Sequence, residues 1–250
     1  MPSRSGRRRT RSPPPPGTVA CPTRSACSPG AADVHLLLDL DNTLVDRERA
    51  FARWAEGLVA QVGGGPADLA WLLSADADGL TPRRELATRI AERLLPRAAP
   101  DHLEQRLLME HVEHVTCDPT VLAHLRRLRG QGARLTVLTN GTGPQQRAKL
   151  ERTGLAVLLD AVVISEEVGA SKPDPAIFAA ALAQAPSDPD TWMIGDHPEA
   201  DIRGGAAAGL RTGWVSRGRP WPYAEPPTLQ APTLGALLDL LPPSGHSPAR

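Results

Sequence analysis

The sequence predicts an α/β protein, in which a doubly wound, Rossmann-like parallel sheet carries a small α-helical lobe. Two observations predict this fold. Short apolar runs alternate with helix-like patterns along most of the chain, and the segment 46–117, after the first apolar run, contains helical patterns without a strand. Parallel strands need long crossover connections that helices usually supply, so the alternation favours a parallel sheet with helices on both faces.

Five apolar runs predict buried strands, because each is short, almost uninterrupted and bounded by Asp, Asn or Gly. The first run, LLLDL, leads directly into carboxylates, which are costly to bury unless their charge is compensated. The predicted strands are 34–40, 134–139, 161–165, 191–195 and 211–216.

Prolines and glycines between these strands indicate where helices begin and end. Each begins at or near a proline, which is favoured in the first helical turn, and most end just before a glycine. A last helix is stopped by Pro242 and Pro243, and the proline-rich segment 214–232 before it reads as a loop. The predicted helices are 118–129, 144–152, 175–184, 198–208 and 233–241.

The segment 46–117 breaks the alternation and defines the expected domain organisation. Its helical pieces are separated only by GGG, DADG and a proline, which indicates an α-helical lobe inserted into the sheet domain. We expect a disordered basic and proline-rich tail at 1–32, an α/β core at 33–45 and 118–242, the lobe at 46–117 and a frayed end at 243–250.

Composition limits the classes of partner. Residues 1–32 carry six arginines and no acid, which leaves 22 of the 28 basic residues in the rest of the chain against all 28 acidic ones. A mildly acidic folded part argues against a nucleic-acid-binding domain. No apolar run reaches the roughly 20 residues of a membrane span. The three cysteines form neither a disulfide framework nor a metal knuckle, so we expect a cytoplasmic protein without nucleic-acid or membrane partners.

Polar residues stand at the carboxyl ends of three predicted strands. Asp39 and Asp41 follow the first, Thr139 ends the second, and Asp196 follows the fourth, with Asp201 five residues later. These ends meet at one edge of a parallel sheet, where clustered carboxylates repel one another unless a cation lies among them. Oxygen ligands suit a hard divalent cation, so the pattern predicts a Mg²⁺ site.

Four motifs resemble those of the haloacid dehalogenase superfamily, in its phosphatase branch with an α-helical cap inserted after the first motif. They occur in the family's order and cover roughly residues 33 to 242; they are DLDNT at 39–43, LTNG at 138–141, SKPDP at 171–175 and GDHPEAD at 195–201. The predicted helical lobe falls where that cap would be. The resemblance implies a Mg²⁺-dependent enzyme with a Rossmann-like core.

The resemblance also assigns roles to the acidic residues. Asp39 would be the nucleophile that forms an aspartyl-phosphate, and Asp41 the general acid and base. Asp39, the backbone carbonyl of Asp41 and Asp196 would hold Mg²⁺, with Asp201 as an outer partner of these ligands. Thr43 would brace the loop through its hydroxyl.

The remaining motif residues would hold the phosphoryl group. Thr139 and the backbone amides after it, beginning with Asn140, would bind phosphate oxygens, and Lys172 would neutralise charge on the nucleophile and the phosphoryl group. The chain has 26 arginines and only two lysines, Lys149 and Lys172. A lysine where arginine is otherwise used indicates a need for a compact ammonium group at 172.

Several other residues invite a functional interpretation that their context does not favour. We expect Asp174 to cap a helix, His197 to lie at the surface or behind the metal ligands, and the run GGAAAG at 204–209 to allow close helix packing. Three histidines of the lobe lack a metal-ligand pattern and are expected to be solvated; they are His102, His111 and His114.

Asp41 indicates the class of reaction. The dehalogenases of this superfamily attack carbon and lack an aspartate at this position, so we expect a phosphomonoester hydrolase that acts on a small phosphorylated metabolite. The helical lobe would close over the site, and residues near its hinge are candidates for substrate contact. These candidates are Asp46, Arg47, Arg49, Phe51 and Trp54.

Three alternatives stay open at this point. A phosphomutase of the same family would share every motif and differ only in transferring the phosphoryl group to a second sugar hydroxyl. A receiver-type signalling module combines similar residues but would be shorter and would lack the lobe. A non-catalytic phosphate- or metal-binding protein is the third. The particular substrate and the oligomeric state do not follow from the sequence.

Overall fold

The structure is a computed structural model, and its described residues are 34–96, 98–185 and 190–242. The predicted tail at 1–32 and frayed end at 243–250 lie outside them. Six parallel strands form one sheet in the order β3-β2-β1-β4-β5-β6. They are β1 (Val34–Leu38), β2 (Arg134–Thr139), β3 (Ala161–Ile164), β4 (Asp190–Gly195), β5 (Arg211–Val215) and β6 (Leu229–Ala231).

Strand β1 lies in the middle of the sheet, and its position creates the site. It pairs with β2 on one side and β4 on the other, so the chain builds the sheet outward in both directions from β1. In doubly wound folds, ligands bind at the carboxyl ends of the strands where the order reverses. The predicted parallel, doubly wound sheet is confirmed.

Strand β6 is the one element of the described sheet that the sequence analysis missed. It pairs only with β5 and lies at the edge, inside the segment 214–232 that was predicted to be a loop. Pro227 and Pro232 lie just outside its three residues. Proline is compatible with a short edge strand because the outer side of that strand forms no ladder.

Helices connect the strands, and those of the sheet domain begin at or near the prolines that predicted them. Asp174, for example, accepts a hydrogen bond from the backbone N–H of Ala176 and caps its helix, as expected. None of the helices in the described ranges offers an apolar stretch long enough to span a bilayer. The α-helices are α1 (Arg47–Gln61), α2 (Pro66–Asp76), α3 (Arg83–Arg93), α4 (Pro100–Met109), α5 (Pro119–Gly130), α6 (Gly143–Arg152), α7 (Ser165–Val168), α8 (Pro175–Leu182), α9 (Gly204–Ala207) and α10 (Leu234–Asp239).

Shorter helical turns complete the chain. Three are 3₁₀ turns, at Ala77–Gly79, Glu110–His114 and Ala156–Leu158. The predicted helix 198–208 opens instead as a π-helix at Pro198–Arg203 and continues as α9.

The leucines of β1 pack on both faces of the sheet. Leu36 and Leu38 belong to a cluster that includes Leu150 of α6 and Leu237 of α10, whereas Leu37 packs with residues of α8. Successive side chains of a strand point to opposite faces, so a central strand covered on both sides must be apolar throughout. This burial holds β1 in place and directs the residues after it to the sheet edge.

Helices α1 to α4 and the 3₁₀ turn Glu110–His114 form the helical insertion, which joins β1 to α5. The insertion has a hydrophobic cluster of its own, built entirely from residues between 51 and 107, with Phe51, Leu72, Leu86 and Leu103 among its buried members. A separate core is what a distinct structural unit requires. We therefore propose that residues 46–117 form a lobe, as the sequence indicated.

Two glycines of α9 allow this short helix to lie close to α8 and to the sheet. A Cβ atom at Gly205 would be 2.7 Å from Cβ of Met193, and one at Gly204 would be 2.9 Å from the Phe178 ring. Both distances are too short for real carbon atoms, so the close packing predicted for this run is confirmed.

We expect Gly205→Ala to lower the free energy of unfolding by about 1–3 kcal/mol, because the added methyl group overpacks the contact with Met193. Urea denaturation followed by circular dichroism would measure the change. Gly57→Ala is the matched control, since Gly57 lies in α1, where an added Cβ atom would meet no neighbouring group within 4 Å. That substitution should stabilise the protein by roughly 0.5–1 kcal/mol, and a neutral Gly205→Ala would contradict the packing argument.

Candidate active site

The carboxyl ends of β1, β2 and β4 line a cavity of about 380 Å³. Asp39 follows β1, Thr139 ends β2 and Asp196 follows β4, and all three residues line the cavity. The opposite side is formed by the helical insertion, through residues that include Arg47 and Leu80. The convergence predicted from parallel strand topology is therefore observed.

Three carboxylates lie together at the floor of this cavity. Asp39, Asp196 and Asp201 each place one ligand atom so that these atoms lie within 4.8 Å of one another, and all three residues are buried. Buried carboxylates repel one another strongly unless cationic charge lies among them. The donor set consists of hard oxygen atoms, so these residues fit a Mg²⁺ ion.

Lys172 supplies part of the compensating charge. Its Nζ atom lies 2.7 Å from Oδ1 of Asp39 and 2.7 Å from Oδ1 of Asp201, and it donates to the carbonyl oxygen of Leu138 at 2.7 Å. Burial would lower the pKa of this ammonium group, but the two carboxylates outweigh it and raise the pKa above its usual value. Lys172 therefore remains charged and joins the nucleophile candidate to Asp201.

The charge of the cluster remains unbalanced even with Lys172. Burial, only partly offset by Lys172, raises the pKa of Asp39 to about 7. Burial and the neighbouring carboxylates of Asp39 and Asp201 raise the pKa of Asp196 to about 8. Without a further cation, these two groups favour the neutral form at pH values where exposed aspartates are ionised.

Two arginines from the loop after β5 contact Asp196. Arg217 Nη1 and Arg219 Nη2 lie 3.2 Å and 2.9 Å from Asp196 Oδ2. Arg217 also contacts Glu48 and Asp78 of the helical insertion, so it connects the insertion with the core. Neither arginine was predicted from the sequence, because the proline-rich segment 214–232 indicates only a loop.

Asp41 lies at the same cavity but has different partners. Nζ of Lys149 donates to both of its carboxylate oxygens at 2.7 Å, and Nε2 of Gln146 donates to Oδ2 at 3.1 Å. Burial would raise the pKa of Asp41, but Lys149 and Gln146 outweigh it and hold the pKa below the usual value. The two aspartates of the first motif thus occupy opposite electrostatic environments, with the pKa of Asp39 raised and that of Asp41 lowered.

The second motif is held by the same glutamine. Gln146 Nε2 donates to Oγ1 of Thr139 at 2.6 Å, and Thr139 is buried at the cavity. The Asn140 side chain instead binds Lys172 through both polar atoms, since Nδ2 donates to the Lys172 carbonyl at 3.0 Å and Oδ1 accepts from its N–H at 2.8 Å. The Asn140 side chain therefore fixes the backbone of Lys172, and binding of phosphate by the Asn140 backbone amide stays a prediction.

The predicted bracing role of Thr43 is wrong. Its side chain is buried, but its hydroxyl finds no hydrogen-bond partner among the described residues. The loop is held instead by its backbone, because the N–H groups of Leu44 and Val45 both donate to the carbonyl oxygen of Leu40 at 3.0 Å.

Asp201 and His197 lie at the start of the π-helix. Asp201 Oδ2 accepts the backbone N–H of His197 at 2.9 Å, and Nδ1 of His197 accepts the backbone N–H of Ala200 at 3.1 Å. His197 is therefore a helix cap that borders the cavity, which fits the expectation of a residue behind the metal ligands.

Among the five hinge residues predicted to contact substrate, Arg47 is the one that lines the cavity. Its guanidinium group is buried and donates to both carboxylate oxygens of Asp76, which Arg83 also contacts at 2.7 Å. The others serve the insertion itself: Asp46 caps α1 by accepting from the N–H of Arg49, and both Phe51 and Trp54 pack in its core.

The solvated state predicted for three histidines is wrong for one of them. His102 and His114 are exposed, but only 2% of His111 is exposed, and it borders the cavity. Its Nδ1 atom donates to the carbonyl oxygen of Leu107 at 2.9 Å. Burial and the nearby Lys149 lower the pKa of His111 to about 3, so its ring is neutral. The helical pattern of the sequence around His111 is the signal that would have predicted its burial.

Comparison with known proteins agrees with this geometry. A family model for haloacid dehalogenase-like hydrolases matches residues 36–215. A pyrimidine 5′-nucleotidase of Escherichia coli is 40% identical over 155 residues, 60% of this chain and 67% of that protein. A phosphoglycolate phosphatase of Cereibacter sphaeroides is 30% identical over 211 residues, 80% of this chain and 91% of that protein. Other matches span less of the relative, such as 41% of a phosphoserine phosphatase of Thermus thermophilus, which is 45% identical over 40% of this chain.

Solved structures share the fold. A HAD hydrolase of Bacillus subtilis, described as bound to magnesium, superposes with a TM-score of 0.70 at 24% identity and covers 84% of this chain and 99% of that one. An L-2-haloacid dehalogenase superposes with a TM-score of 0.64 at 22% identity over 83% of this chain and 97% of that one. Fold similarity at these identities does not choose between the two chemistries.

Fold and site together define a Rossmann-like enzyme with a carboxylate centre at the sheet edge. The chain belongs to the haloacid dehalogenase-like hydrolases, in their phosphatase branch. The resemblance stated from the four motifs is thereby confirmed.

We expect Asp196→Asn to stabilise the metal-free protein at pH 8 by at least about 1 kcal/mol and to leave its stability at pH 4 nearly unchanged. A carboxyl whose pKa is raised from 3.8 to about 8 by folding keeps its proton in the folded state while the unfolded chain loses it. Between these values, rising pH therefore favours unfolding, and the amide removes this penalty.

Urea denaturation in EDTA at pH 4, 6 and 8 would measure the difference between variant and parent. Asp190→Asn is the control, because Asp190 pairs with Arg211 and is partly exposed at the start of β4. A stability gain for Asp196→Asn that does not change with pH would contradict the assignment of a raised pKa.

Proposed function

We propose that this protein is a Mg²⁺-dependent phosphomonoesterase that acts on a small phosphorylated metabolite through an aspartyl-phosphate on Asp39. The observation that carries the proposal is the presence of two aspartates, Asp39 and Asp41, at one cavity with separate cationic partners, Lys172 and Lys149. A nucleophile and a general acid–base need different environments, and separate partners place these two carboxylates in different environments.

Asp39 is the nucleophile in this proposal. Its carboxylate is buried at the end of β1, and Lys172 holds one of its oxygens at 2.7 Å. The other oxygen attacks phosphorus while the bond to the leaving oxygen breaks. Lys172 holds the attacking group in place and offsets negative charge beside the phosphoryl group.

Asp41 transfers the protons. It protonates the leaving oxygen while the phosphoryl group moves to Asp39, and its carboxylate then accepts a proton from the water that attacks the aspartyl-phosphate. The products are the alcohol and inorganic phosphate. The position of Asp41 at the cavity that Thr139 and Lys172 also line supports this assignment.

The cluster of Asp39, Asp196 and Asp201 fits Mg²⁺ by its donor chemistry, as described above. Asp39, the backbone carbonyl of Asp41 and Asp196 would hold the ion, and Asp201 would anchor Lys172 behind them. The ion would neutralise charge on the phosphoryl group and on the carboxylates. Thr139 and the backbone amide of Asn140 would bind phosphate oxygens at the end of β2.

Asp41 also supports phosphate rather than organohalide chemistry. Displacement of a halide needs no proton donor for the leaving group, whereas an alkoxide leaving group does. The structural likeness to dehalogenases therefore does not extend to this position. The curated relatives named above are a nucleotidase and two phosphatases, which supports the same choice.

The substrate should be small. A cavity of about 380 Å³ lies within the usual range for small-molecule sites. The relatives are described as acting on pyrimidine nucleotides, phosphoserine and phosphoglycolate, which gives a first panel of phosphomonoesters for this chain. Sugar phosphates complete the panel and allow a test of phosphomutase activity.

We further propose a cytoplasmic location. Among the described residues Cys117 is the one cysteine and is free, and burial raises the pKa of its thiol to about 11. A half-buried free thiol with a raised pKa reacts slowly and suits a reducing compartment, where phosphorylated metabolites also occur.

We expect phosphate release from at least one panel member with Mg²⁺, and loss of that activity with EDTA or in Asp39→Asn. The amide cannot form the aspartyl-phosphate, so the rate should fall by at least about 10³-fold. Asp101→Asn is the control, because Asp101 forms an exposed ion pair with Arg84 on the insertion. Hydrolysis retained by Asp39→Asn would contradict the nucleophile assignment, and isomerisation of a sugar phosphate without phosphate release would indicate a mutase.

A further inference from the structure

The charged side chains that line the cavity balance one another. Five are lysines or arginines and five are aspartates, so their formal charges cancel. In the proposed function, Mg²⁺ and a phosphoryl dianion would cancel each other in the same way. A second negative charge on the substrate would therefore enter a site without surplus positive charge. The five cations are Arg47, Arg83, Lys149, Lys172 and Arg219, and the aspartates are the four already described together with Asp78.

Each of these cations already has a carboxylate partner. On the core side of the cavity, the two lysines pair with the two aspartates of the first motif, and Arg219 pairs with Asp196. A buried cation that turned from its aspartate to a ligand would leave that aspartate unpaired, which is costly. The lysines and the arginine on this side are therefore committed to protein carboxylates.

The two arginines on the insertion side are held by a buried carboxylate. Asp76 is 2% exposed, and it accepts from Nη1 and Nη2 of Arg47 at 2.5 Å and 2.7 Å and from Nη1 of Arg83 at 2.7 Å. Nη2 of Arg83 donates to the carbonyl oxygen of Gly79 at 2.8 Å. Asp78 lies 3.9 Å from Arg47, so two aspartates balance these two arginines. Both guanidinium groups are thus occupied within the insertion.

The remaining insertion residues at the cavity are uncharged. Leu80 is 66% exposed and Leu108 is partly buried, and both line the cavity. His111 is neutral, as its pKa of about 3 indicates. An uncharged group of a substrate can lie against such a wall at little cost, whereas a carboxylate would lose water there without gaining a partner.

We propose that this protein selects phosphomonoesters whose leaving group is uncharged and discriminates against a second anionic group beside the phosphate. This inference rests on the proposed function and names its class of substrate. A second carboxylate would have to take a cation from a protein aspartate or remain without a partner. The aspartates that line the cavity would also repel it.

A pair of isosteric esters measures this selection. Phosphoglycolate and its amide differ by one negative charge and hardly in shape. Each is tested as a competitive inhibitor of p-nitrophenyl phosphate hydrolysis with saturating Mg²⁺, at a pH where both phosphates are dianions. The inhibition constant is defined whether or not the ester itself is hydrolysed. In the parent protein we expect the amide to bind at least about 10-fold more tightly than the carboxylate, because like charges placed side by side weaken binding strongly.

Leu80→Lys adds an unpaired cation to the wall at an exposed position, so the variant should fold. We expect the preference for the amide to fall by about two- to fivefold, as for an exposed ion pair, and the change to shrink at high salt. Leu80→Met has an uncharged side chain of similar length and should keep the parent preference. Leu73→Lys places the same charge at an exposed position of α2 outside the cavity lining and should also keep it.

A carboxylate that binds the parent protein as tightly as the amide would overturn the proposal. An unchanged preference in Leu80→Lys, or an equal change in Leu80→Met or Leu73→Lys, would overturn it as well. The comparison in the parent protein does not depend on whether any variant folds. Failure of the proposed function looks different: the parent protein would not hydrolyse p-nitrophenyl phosphate, or Asp39→Asn would retain that activity.

Discussion

The repulsion among carboxylates at the end of the central strand is the constraint on which the rest of the site depends. A buried apolar strand and its two parallel neighbours bring Asp39 and Asp196 to one edge, and the following helix adds Asp201. Lys172 and two arginines reduce the repulsion, but the pKa values of Asp39 and Asp196 remain raised. Such a cluster destabilises the fold unless a cation lies among its carboxylates, and strongly shifted pKa values of this kind are typical of functional sites.

Asp39 and Asp41 are only two residues apart, but their pKa values are shifted in opposite directions. The chain turns after β1, so Asp39 lies at the edge of the sheet beside Lys172, while Asp41 reaches Lys149 of α6. Environment rather than residue type separates a nucleophile from an acid–base group. The same turn places Asn42 next to the helical insertion, where Nδ2 of Asn42 donates to Oδ1 of Asp78 at 2.9 Å. With Arg217, this contact connects the edge of the sheet with the insertion.

The fold does not decide the chemistry. Solved dehalogenases and hydrolases share this architecture at low identity, and the backbone alone would fit either. What favours phosphate is a small set of side chains, above all Asp41 and its partners on α6. Function therefore follows from which groups stand at the strand ends, while the sheet supplies their convergence.

The sequence pattern alone was sufficient for the parallel sheet, the helical insertion and the meeting of Asp39, Thr139 and Asp196, whereas the family resemblance assigned Lys172 to the same site. Short-range signals such as apolar runs, prolines and strand-end carboxylates carry this information, and parallel topology then places strand ends together. The catalytic roles of these residues stay predictions. Tertiary structure decided the partners: Lys149 lies beside Asp41, Arg217 and Arg219 lie beside Asp196, and the hydroxyl of Thr43 has no partner among the described residues. These contacts join residues far apart in the chain and depend on how each helix is rotated against the sheet, which residue spacing does not encode.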